Sequence, residues 1–257
     1  MKNTFEKEKN PPKKLSTLLT EHLVYAYGAG EKGFYWEAGP DADFTEILYI
    51  FSTPTLAKAK RQMRGDPFYQ EGIFHDDFWF EWRVHVPPWK IRPADREMME
   101  GLMRYVNILP DYPPGAGPPV KEIHVEAITP PRLFVSISRA KSADIKKLER
   151  DQQAGKPVPA FFINHAFYRL GAGGTVTLGY DWEAGPSADQ TRDLTVMSAG
   201  SMEMARLLRE NDPVSQHGLF YDHRYFEWRI MWPLKKASPL YQDTLKRLLK
   251  QAGLKLA

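Results

Sequence analysis

Two Glu–Arg pairs in identical Phe-Glu-Trp-Arg segments are the first residues whose types and spacing could bind a ligand. They are Glu81 with Arg83 and Glu227 with Arg229. Side chains alternate between the two faces of a strand, so each glutamate shares a face with its arginine. Arg83 and Arg229 could bind the carboxylate or phenolate of a small molecule. Alternatively, each arginine pairs with a glutamate across strands, because a buried arginine ordinarily has a carboxylate partner.

The two segments belong to a long internal repeat. The sequence Trp-Glu-Ala-Gly-Pro occurs at 36–40 and at 182–186, and Asp-Pro occurs at 66–67 and at 212–213. All these pairs share one offset of 146 residues. A period that long is too large for a solenoid unit and fits a whole domain. We therefore expect a duplicated domain, in which the residues kept in both copies are the candidates for shared chemistry.

The periodicity of apolar residues predicts two domains of similar design. Repeat one, residues 1–112, ends in a helix; repeat two, residues 113–257, begins with a linker strand and also ends in a helix. The elements predicted for repeat one are helices at 16–27, 54–64 and 94–109 and strands at 34–38, 46–51 and 74–86. A Pro- and Gly-rich linker follows at 110–119. The elements predicted for repeat two are helices at 157–170, 201–210 and 239–251 and strands at 121–128, 133–138, 177–184, 193–198 and 219–232.

The order strand–helix–strand–strand–helix–strand is ferredoxin-like, with an antiparallel sheet that carries helices on one face. We expect an α+β protein whose two tandem ferredoxin-like domains pack sheet to sheet as an intramolecular dimeric α+β barrel. Strand 121–128 is expected to supply the strand that repeat one lacks; the alternatives are a smaller sheet or a natural start further upstream. The apolar face of each long strand should meet the helices, which points the Glu–Arg pairs into the space between the sheets.

The repeated motifs resemble those of the YCII-related family, in which Glu-Ala-Gly-Pro precedes a Ser, a helical Ala, Asp-Pro-Phe and a Gly. Repeat one carries this pattern at Glu37–Pro40, Ser52, Ala59, Asp66–Phe68 and Gly72, with Pro88-Trp89 near the end of its last strand. Repeat two carries it at Glu183–Pro186, Ser198, Ala205, Asp212-Pro213 and Gly218, with Val214 where Phe is usual. The resemblance covers most of both repeats, and it implies the dimeric α+β barrel architecture.

The resemblance also implies a catalytic dyad, formed by a His on the first helix and an Asp just after the Gly-Pro turn. The matching residues are His22 with Asp43 and His165 with Asp189. A carboxylate on one imidazole nitrogen fixes the tautomer and leaves the other nitrogen to move a proton. We expect His165 and Asp189 to be the active pair, because repeat two has the fuller set of strands. Alternatively, each His is a half-buried helix residue bonded to an Asp for structural reasons.

The function implied is that of a small-molecule enzyme of lyase, isomerase or dehydrochlorinase type. A histidine would move the proton, its aspartate would orient it, and Arg83 or Arg229 would stabilise developing negative charge. No cofactor is implied, and the ligand would be a small molecule such as a carboxylate or phenolate. The alternative is a non-catalytic protein of the same fold that binds a small ligand or is structural. Asp66-Pro67 and Asp212-Pro213 are interpreted as helix stops rather than as site residues.

Composition excludes several other classes of protein. With 42% hydrophobic and 26% charged residues, the chain has the composition of a soluble globular protein. The formal charge of +3 is spread along the chain, so we expect neither nucleic acid nor a membrane as partner. Without cysteine, and with seven scattered histidines, no metal site is predicted. No apolar run follows the lysine-rich residues 2–14, so we expect no signal peptide and a cytoplasmic location. From the duplication we expect a pseudo-dimer within one chain, with further oligomerisation left open.

Overall fold

The computed structural model describes residues 14–76, 78–85, 132–169, 179–254 and 256. In this part of the chain the fold is α+β, with two antiparallel sheets. No helix within these residues is both long and apolar enough to cross a bilayer. Three predicted segments lie outside the described residues: helix 94–109, linker 110–119 and strand 121–128.

The helices and strands follow one another along both repeats. The helices are α1 (Leu15–Glu31), α2 (Leu56–Arg64), α3 (Pro67–Gln70), α4 (Ser142–Gln153), α5 (Ala160–Phe167), α6 (Met202–Glu210), α7 (Pro213–Gln216) and α8 (Pro239–Gln251). The strands are β1 (Tyr35–Pro40), β2 (Ile47–Phe51), β3 (Arg132–Ala140), β4 (Gly179–Pro186), β5 (Arg192–Ala199) and β6 (Phe220–Trp228). The predicted strand 133–138 is thus present as β3, whereas the sequence patterns did not predict α4.

The chain divides into two compact units that do not coincide with the two repeats. The first unit combines the residues up to Pro40 and Ile47–Trp79 with the residues from Ile230 onward. The second unit combines Asp41–Glu46 with Phe80–Arg229. Each unit therefore contains segments of both repeats, and the boundary expected at residue 112 stays a prediction.

The core of the first unit forms where α1, the hairpin β1–β2 and α8 bury small and apolar side chains. Its buried members are Leu23, Ala26, Ala29, Tyr35, Ala38, Trp232, Leu234, Ala237, Leu245 and Leu249. Helix α1 was expected to end at Tyr27 before Gly28, but it continues to Glu31. Ala29 and Gly30 are buried, and a Cβ on Gly30 would lie 3.4 Å from the Cα of Pro233. Tertiary packing thus outweighs the low helix propensity of glycine.

The second unit contains a four-stranded sheet in the order β4-β5-β3-β6, in which every neighbouring pair is antiparallel. Strand β3 lies in the interior of the sheet and pairs with both β5 and β6. The chain crosses from β3 to β4 through α4 and α5, and from β5 to β6 through α6 and α7. Helix α6 covers one face of the sheet, where it buries Ala205 and Leu208 against Phe134 and Met197.

Short helices α3 and α7 begin at the Asp-Pro pairs, at the same offset of 146 residues. Asp66 caps α3 by accepting from Phe68 N at 2.8 Å, and Asp212 caps α7 by accepting from Val214 N at 3.1 Å. A carboxylate at this position satisfies an N–H that has no partner within the helix, and proline is favoured at the next residue because its lost N–H was unpaired there. Both aspartates are fully buried. The Asp-Pro motif therefore starts a helix as well as ending the one before it.

The two faces of β6 are reversed relative to the sequence-based expectation. Tyr225 shares a strand face with Glu227, the face expected to point away from the helices, but it packs on the cluster formed by Phe134 of β3 and Leu208 of α6. The Arg206 guanidinium of α6 lies 5.6 Å from the centre of the Tyr225 ring. Glu227 is in register with Phe134 and therefore belongs to the same face. The expectation failed because polar side chains were assigned to the face away from the helices.

Backbone hydrogen bonds join the end of each long strand to the segment around the Gly-Pro turn of the other repeat. In the second unit, Arg83 N donates to Pro186 O at 2.9 Å and His85 N donates to Ala184 O at 2.8 Å. In the first unit, Met231 N donates to Ala38 O at 2.9 Å, which is the His85 contact shifted by 146 residues at both ends. The segment 78–85 forms these bonds in place of the regular strand that was predicted at 74–86.

Gly185 of the Glu-Ala-Gly-Pro motif is required by this pairing. A Cβ at position 185 would lie 1.8 Å from the carbonyl oxygen of Arg83. Backbone atoms cannot move aside as a flexible side chain would, so a larger residue must displace the paired segment. The glycine therefore allows the two chain segments to come within hydrogen-bonding distance.

We predict that Gly185→Ala destabilises the protein by about 1–3 kcal/mol, because the new methyl group overlaps the Arg83 backbone. The matched control is Gly28→Ala in α1, where a Cβ would meet nothing within 4 Å. The free energy of unfolding of that variant should rise by about 0.5–1 kcal/mol, because alanine has a better helix propensity than glycine. Urea unfolding followed by circular dichroism measures both changes. Equal stability of the two variants would contradict the close approach at Gly185.

Candidate functional site

The His165 side chain of α5 pairs with the carboxylate of Asp212, the N-cap of α7. The distance from His165 Nδ1 to Asp212 Oδ1 is 2.7 Å. Asp212 is fully buried, whereas the His165 side chain is 21% exposed. Asp212 is the only hydrogen-bond partner of the His165 ring within the described residues, which leaves Nε2 available. This arrangement holds one ring nitrogen, on a side chain that is partly exposed.

Two buried arginines surround the same carboxylate. Arg209 Nη1 donates to Asp212 Oδ2 at 2.9 Å, and Arg209 Nη2 donates to Asp193 Oδ2 at 2.7 Å. Arg169 Nη1 lies 3.7 Å from Asp212 Oδ2, while Arg169 Nη2 donates to Thr195 Oγ1 at 2.9 Å. Thr195 Oγ1 in turn donates to Asp193 Oδ2 at 3.0 Å, which closes a ring of contacts. We call these five side chains, Asp212, Arg209, Asp193, Thr195 and Arg169, the ionic ring.

The ionic ring stabilises the charged form of Asp212. Burial by itself raises the pKa of this carboxyl group, but the charge and hydrogen bond of His165 and the charges of Arg209 and Arg169 outweigh it. The net result is a pKa well below the usual value. Asp212 therefore stays an acceptor for His165 Nδ1–H at any pH near neutrality. The neutral imidazole then carries its lone pair on Nε2.

His22 of α1 pairs with Asp66, the N-cap of α3, in the first unit. His22 Nδ1 lies 2.9 Å from both carboxylate oxygens of Asp66. The imidazole stacks on the Phe68 ring at 4.3 Å between centroids and meets the edge of Phe74 at 5.3 Å. Its side chain is 11% exposed, about half the exposure of His165. Repeat one therefore holds the same pair of groups in an aromatic environment.

A tyrosine three residues after each histidine makes the same contact in both repeats. Tyr25 OH donates to the carbonyl oxygen of Gln62 in α2, and Tyr168 OH donates to that of Leu208 in α6 at 2.7 Å. Burial, and after it the charge of Asp66, raise the pKa of Tyr25 to about 12. These bonds tie each histidine-bearing helix to the helix before the Asp-Pro motif, and so fix the position of the histidine relative to its aspartate.

The aspartates predicted as dyad partners have other roles. Asp189 accepts from Ser187 Oγ at 2.5 Å and from Thr191 Oγ1 at 2.9 Å within the turn after β4. The hydrogen bonds from Ser187 and then Thr191 lower the pKa of Asp189. The structure therefore brings His165 together with Asp212 rather than with Asp189, because the turn side chains already occupy Asp189.

In repeat one the corresponding turn is held by Asp41, which accepts from Thr45 N at 2.7 Å and from Glu46 N at 3.0 Å. Asp43, the predicted partner of His22, is an exposed residue of this turn. The carboxylate that His22 contacts is that of Asp66. In both repeats the pairing thus corrects the expected partner, and the catalytic role of the histidines stays a prediction.

The predicted ligand-binding pairs lie at several places in the second unit. Glu227 is bonded to Arg132, and the Arg229 guanidinium lies 5.6 Å from the centre of the Phe44 ring. Arg83 is half-buried, and its Nε has no hydrogen-bond partner within the described residues, while Glu81 is exposed. Glu227 thus has an arginine partner on the neighbouring strand, Arg132, whereas the expected pairing of Arg83 and Arg229 with glutamates stays a prediction. Whether Arg83 and Arg229 bind a ligand stays a prediction.

Arg209, Arg169 and Asp193 were not predicted from sequence, because they have no counterpart in repeat one. At the positions of Arg209 and Asp193, repeat one has Met63 and Ile47. A search restricted to residues kept in both copies discards them. A signal for Asp66 and Asp212 was available in the sequence. Each belongs to a repeated Asp-Pro pair, and a histidine lies 44 residues before Asp66 and 47 residues before Asp212. Among the described residues no group of acidic and histidine side chains could hold a metal ion.

No protein-family model, curated protein or solved structure matches the chain. The geometry of the two His–Asp pairs is therefore the basis for a functional assignment.

We predict that Asp212→Asn removes about 3–5 kcal/mol of stability at neutral pH, because it leaves Arg209 buried without its full countercharge. The pKa of Asp212 is lowered in the native state, so its ionised form stabilises the folded protein. This contribution to the free energy of unfolding is complete above the ordinary carboxyl pKa of about 4 and is lost as the pH falls below that value. Urea unfolding between pH 7 and pH 2 should show a smaller decline in the variant than in the wild type.

The matched control is Asp66→Asn, since no arginine is paired with Asp66 in the described residues. At neutral pH this variant should lose about 1–2 kcal/mol of stability, because only hydrogen bonds are weakened. Equal losses in the two variants would show that the ionic ring does not contribute to the stability of repeat two.

Proposed function

We propose that the chain is a YCII-like small-molecule enzyme of lyase, isomerase or dehydrochlorinase type that uses a His–Asp dyad for proton transfer. The observation that carries the proposal is the 2.7 Å contact between His165 Nδ1 and the buried Asp212 carboxylate. A carboxylate so placed keeps the proton on Nδ1 and stabilises the imidazolium that forms when Nε2 accepts a second proton. The dyad is thus suited to act as a general base and then as a general acid.

His165 is the stronger candidate of the two histidines. Its side chain is 21% exposed and that of His22 is 11% exposed, so the His165 ring is the more accessible of the two. The His22 ring also has one face covered by Phe68. We therefore assign proton transfer to His165 and Asp212, and we assign His22 and Asp66 to support of the fold or to a second site of lower reactivity.

The topology supports the proposed family relationship. The strand order β4-β5-β3-β6, with helical crossovers between β3 and β4 and between β5 and β6, fits the ferredoxin-like arrangement. The backbone bonds that recur at an offset of 146 residues support an internal duplication and a reciprocal pairing of the repeats. Both features are those expected for the dimeric α+β barrel to which the YCII-like motifs point.

In the proposed reaction, His165 Nε2 removes a proton from a carbon next to a carbonyl group and later returns it to the same or a neighbouring atom. Negative charge develops on the carbonyl oxygen, and Arg83 or Arg229 is the proposed partner for that charge or for a substrate carboxylate. The buried Nε of Arg83, which lacks an acceptor in the described residues, supports this role. The proposed substrate class is therefore a small carbonyl acid, and a phenolate is proposed only as a ligand of the same arginines.

A second candidate is a non-catalytic protein of the same fold, and one observation favours it. Asp66 and Asp212 both cap a helix with the same carboxylate that contacts the histidine. A buried aspartate with that duty is useful without any chemistry. In this case the histidines would serve as polar contacts that fix α1 and α5 beside α3 and α7.

The two candidates are separated by hydrogen–deuterium exchange at carbon. The full chain is incubated in D₂O with pyruvate, levulinate or phenylpyruvate, and loss of the proton signal next to the carbonyl is followed by NMR. We predict that the wild type accelerates exchange for at least one acid and that His165→Asn lowers this rate about 10²- to 10⁴-fold, the usual contribution of a general base.

His22→Asn is the matched control, because it removes the equivalent histidine of repeat one. It should retain most of the exchange activity. Exchange that is no faster than buffer for every acid, together with a lower melting temperature in both variants, would favour the structural candidate. Equal exchange rates in the wild type and in His165→Asn would contradict the assignment of the base.

A further inference from the structure

We infer that Arg209 is a positioning residue, which occupies one oxygen of Asp212 and thereby confines His165 to the other. The inference rests on the proposed role of His165 as the base, and it adds a residue that sequence comparison between the repeats discards. Arg209 is fully buried and bonds Asp212 Oδ2 through Nη1 at 2.9 Å. His165 Nδ1 contacts Asp212 Oδ1 at 2.7 Å. Oδ2 thus faces Arg209, with Arg169 Nη1 further away at 3.7 Å, while Oδ1 accepts from His165 and from the capping N–H of Val214.

Repeat one provides the comparison without the arginine. Met63 stands at the position of Arg209, and His22 Nδ1 lies at 2.9 Å from both oxygens of Asp66. The imidazole there bisects the carboxylate, and the contact is longer than the one to Asp212. The two His–Asp pairs differ as expected if Arg209 occupies one oxygen of Asp212 and leaves the other to His165. The backbone cap is the same in both, so it does not account for the difference.

The guanidinium of Arg209 is itself held from several sides. Its Nη2 donates to Asp193 Oδ2 at 2.7 Å, and its centre lies 4.7 Å from that of the Phe220 ring. Asp193 is fixed by Thr195, which donates to the same oxygen at 3.0 Å. A planar group bonded to two carboxylates and stacked on an aromatic ring has little freedom to rotate. Arg209 therefore transmits a fixed orientation from β5 to the carboxylate at the start of α7.

The consequence is a defined direction for the lone pair of His165. An imidazole bonded to one oxygen in a single geometry points Nε2 along one line, whereas a bifurcated contact allows the ring to rock between the two oxygens. Proton transfer is sensitive to such misplacement, because the base must lie within hydrogen-bond reach of the proton that it removes. Arg209 acts on the reaction only through Asp212 and His165.

The test is NMR of the full chain labelled with ¹⁵N-histidine, which reports the tautomer and the Nδ1 proton of each ring. The key variant is Arg209→Met with Asp193→Ile, which installs the two residues of repeat one. It removes one buried charge of each sign and leaves Asp212 with His165 and Arg169 as its charged neighbours. In the wild type, the Nδ1 proton of His165 should lie downfield of that of His22, because its hydrogen bond is shorter and has one acceptor. In the variant it should move upfield, to the position of the His22 signal.

Controls come from the same spectrum and from one further variant. The His22 signals should not change, and His165→Asn and His22→Asn assign the two resonances. Arg209→Lys keeps a cation beside Asp212 but cannot bridge two carboxylates in a planar fork, so the His165 Nδ1 proton should fall between the wild-type and double-variant values. This milder variant gives the answer if the double variant does not fold.

A His165 Nδ1 proton that stays at its wild-type position in folded variants would overturn the inference. An equal displacement of the His22 signal would do the same, since it would indicate a general change of structure. Neither result depends on a substrate. Failure of the exchange assay would therefore count against the proposed base, while the positioning of His165 by Arg209 would still be decided by NMR.

Discussion

The structure around both candidate sites depends on one buried carboxylate that has two duties. Asp66 and Asp212 each accept the backbone N–H at the start of a short helix, and each also accepts the Nδ1–H of a histidine from an earlier helix. A fully buried carboxylate is costly unless its lone pairs are satisfied. The helix start and the imidazole satisfy them together. Loss of either partner therefore weakens the position of the other.

The two repeats differ in the charged and aromatic groups that surround this aspartate. Repeat two places Arg209 and Arg169 beside its aspartate and balances them with Asp193. Repeat one packs His22 against Phe68 and Phe74 instead. Buried arginines need carboxylate partners, and in repeat two Asp212 and Asp193 supply them. The distances agree with the inference that Arg209 fixes the carboxylate that contacts the more exposed histidine.

Much of the local structure was predictable from sequence, and the misses have identifiable physical causes. Strong apolar periodicity located α8 and β3 closely, and the Gly-Pro and Asp-Pro motifs located the turns. The partner of each histidine was wrong because the motif Asp-Pro was interpreted only as a stop signal, although the same aspartate caps the next helix. The face of β6 was wrong because buried polar residues such as Ser138 and Asp193 line the helix side of this sheet. Local patterns report burial, but they do not report which buried groups meet.

A double-mutant cycle between His165 and Asp212 tests the central claim most directly. The free energy of unfolding is measured for the wild type, His165→Asn, Asp212→Asn and the double variant. The account predicts a coupling energy above about 1 kcal/mol, because each group satisfies the other inside the protein. A coupling energy below about 0.3–0.5 kcal/mol, the range of additivity for independent sites, would mean that the two residues do not act as a pair and would contradict the account.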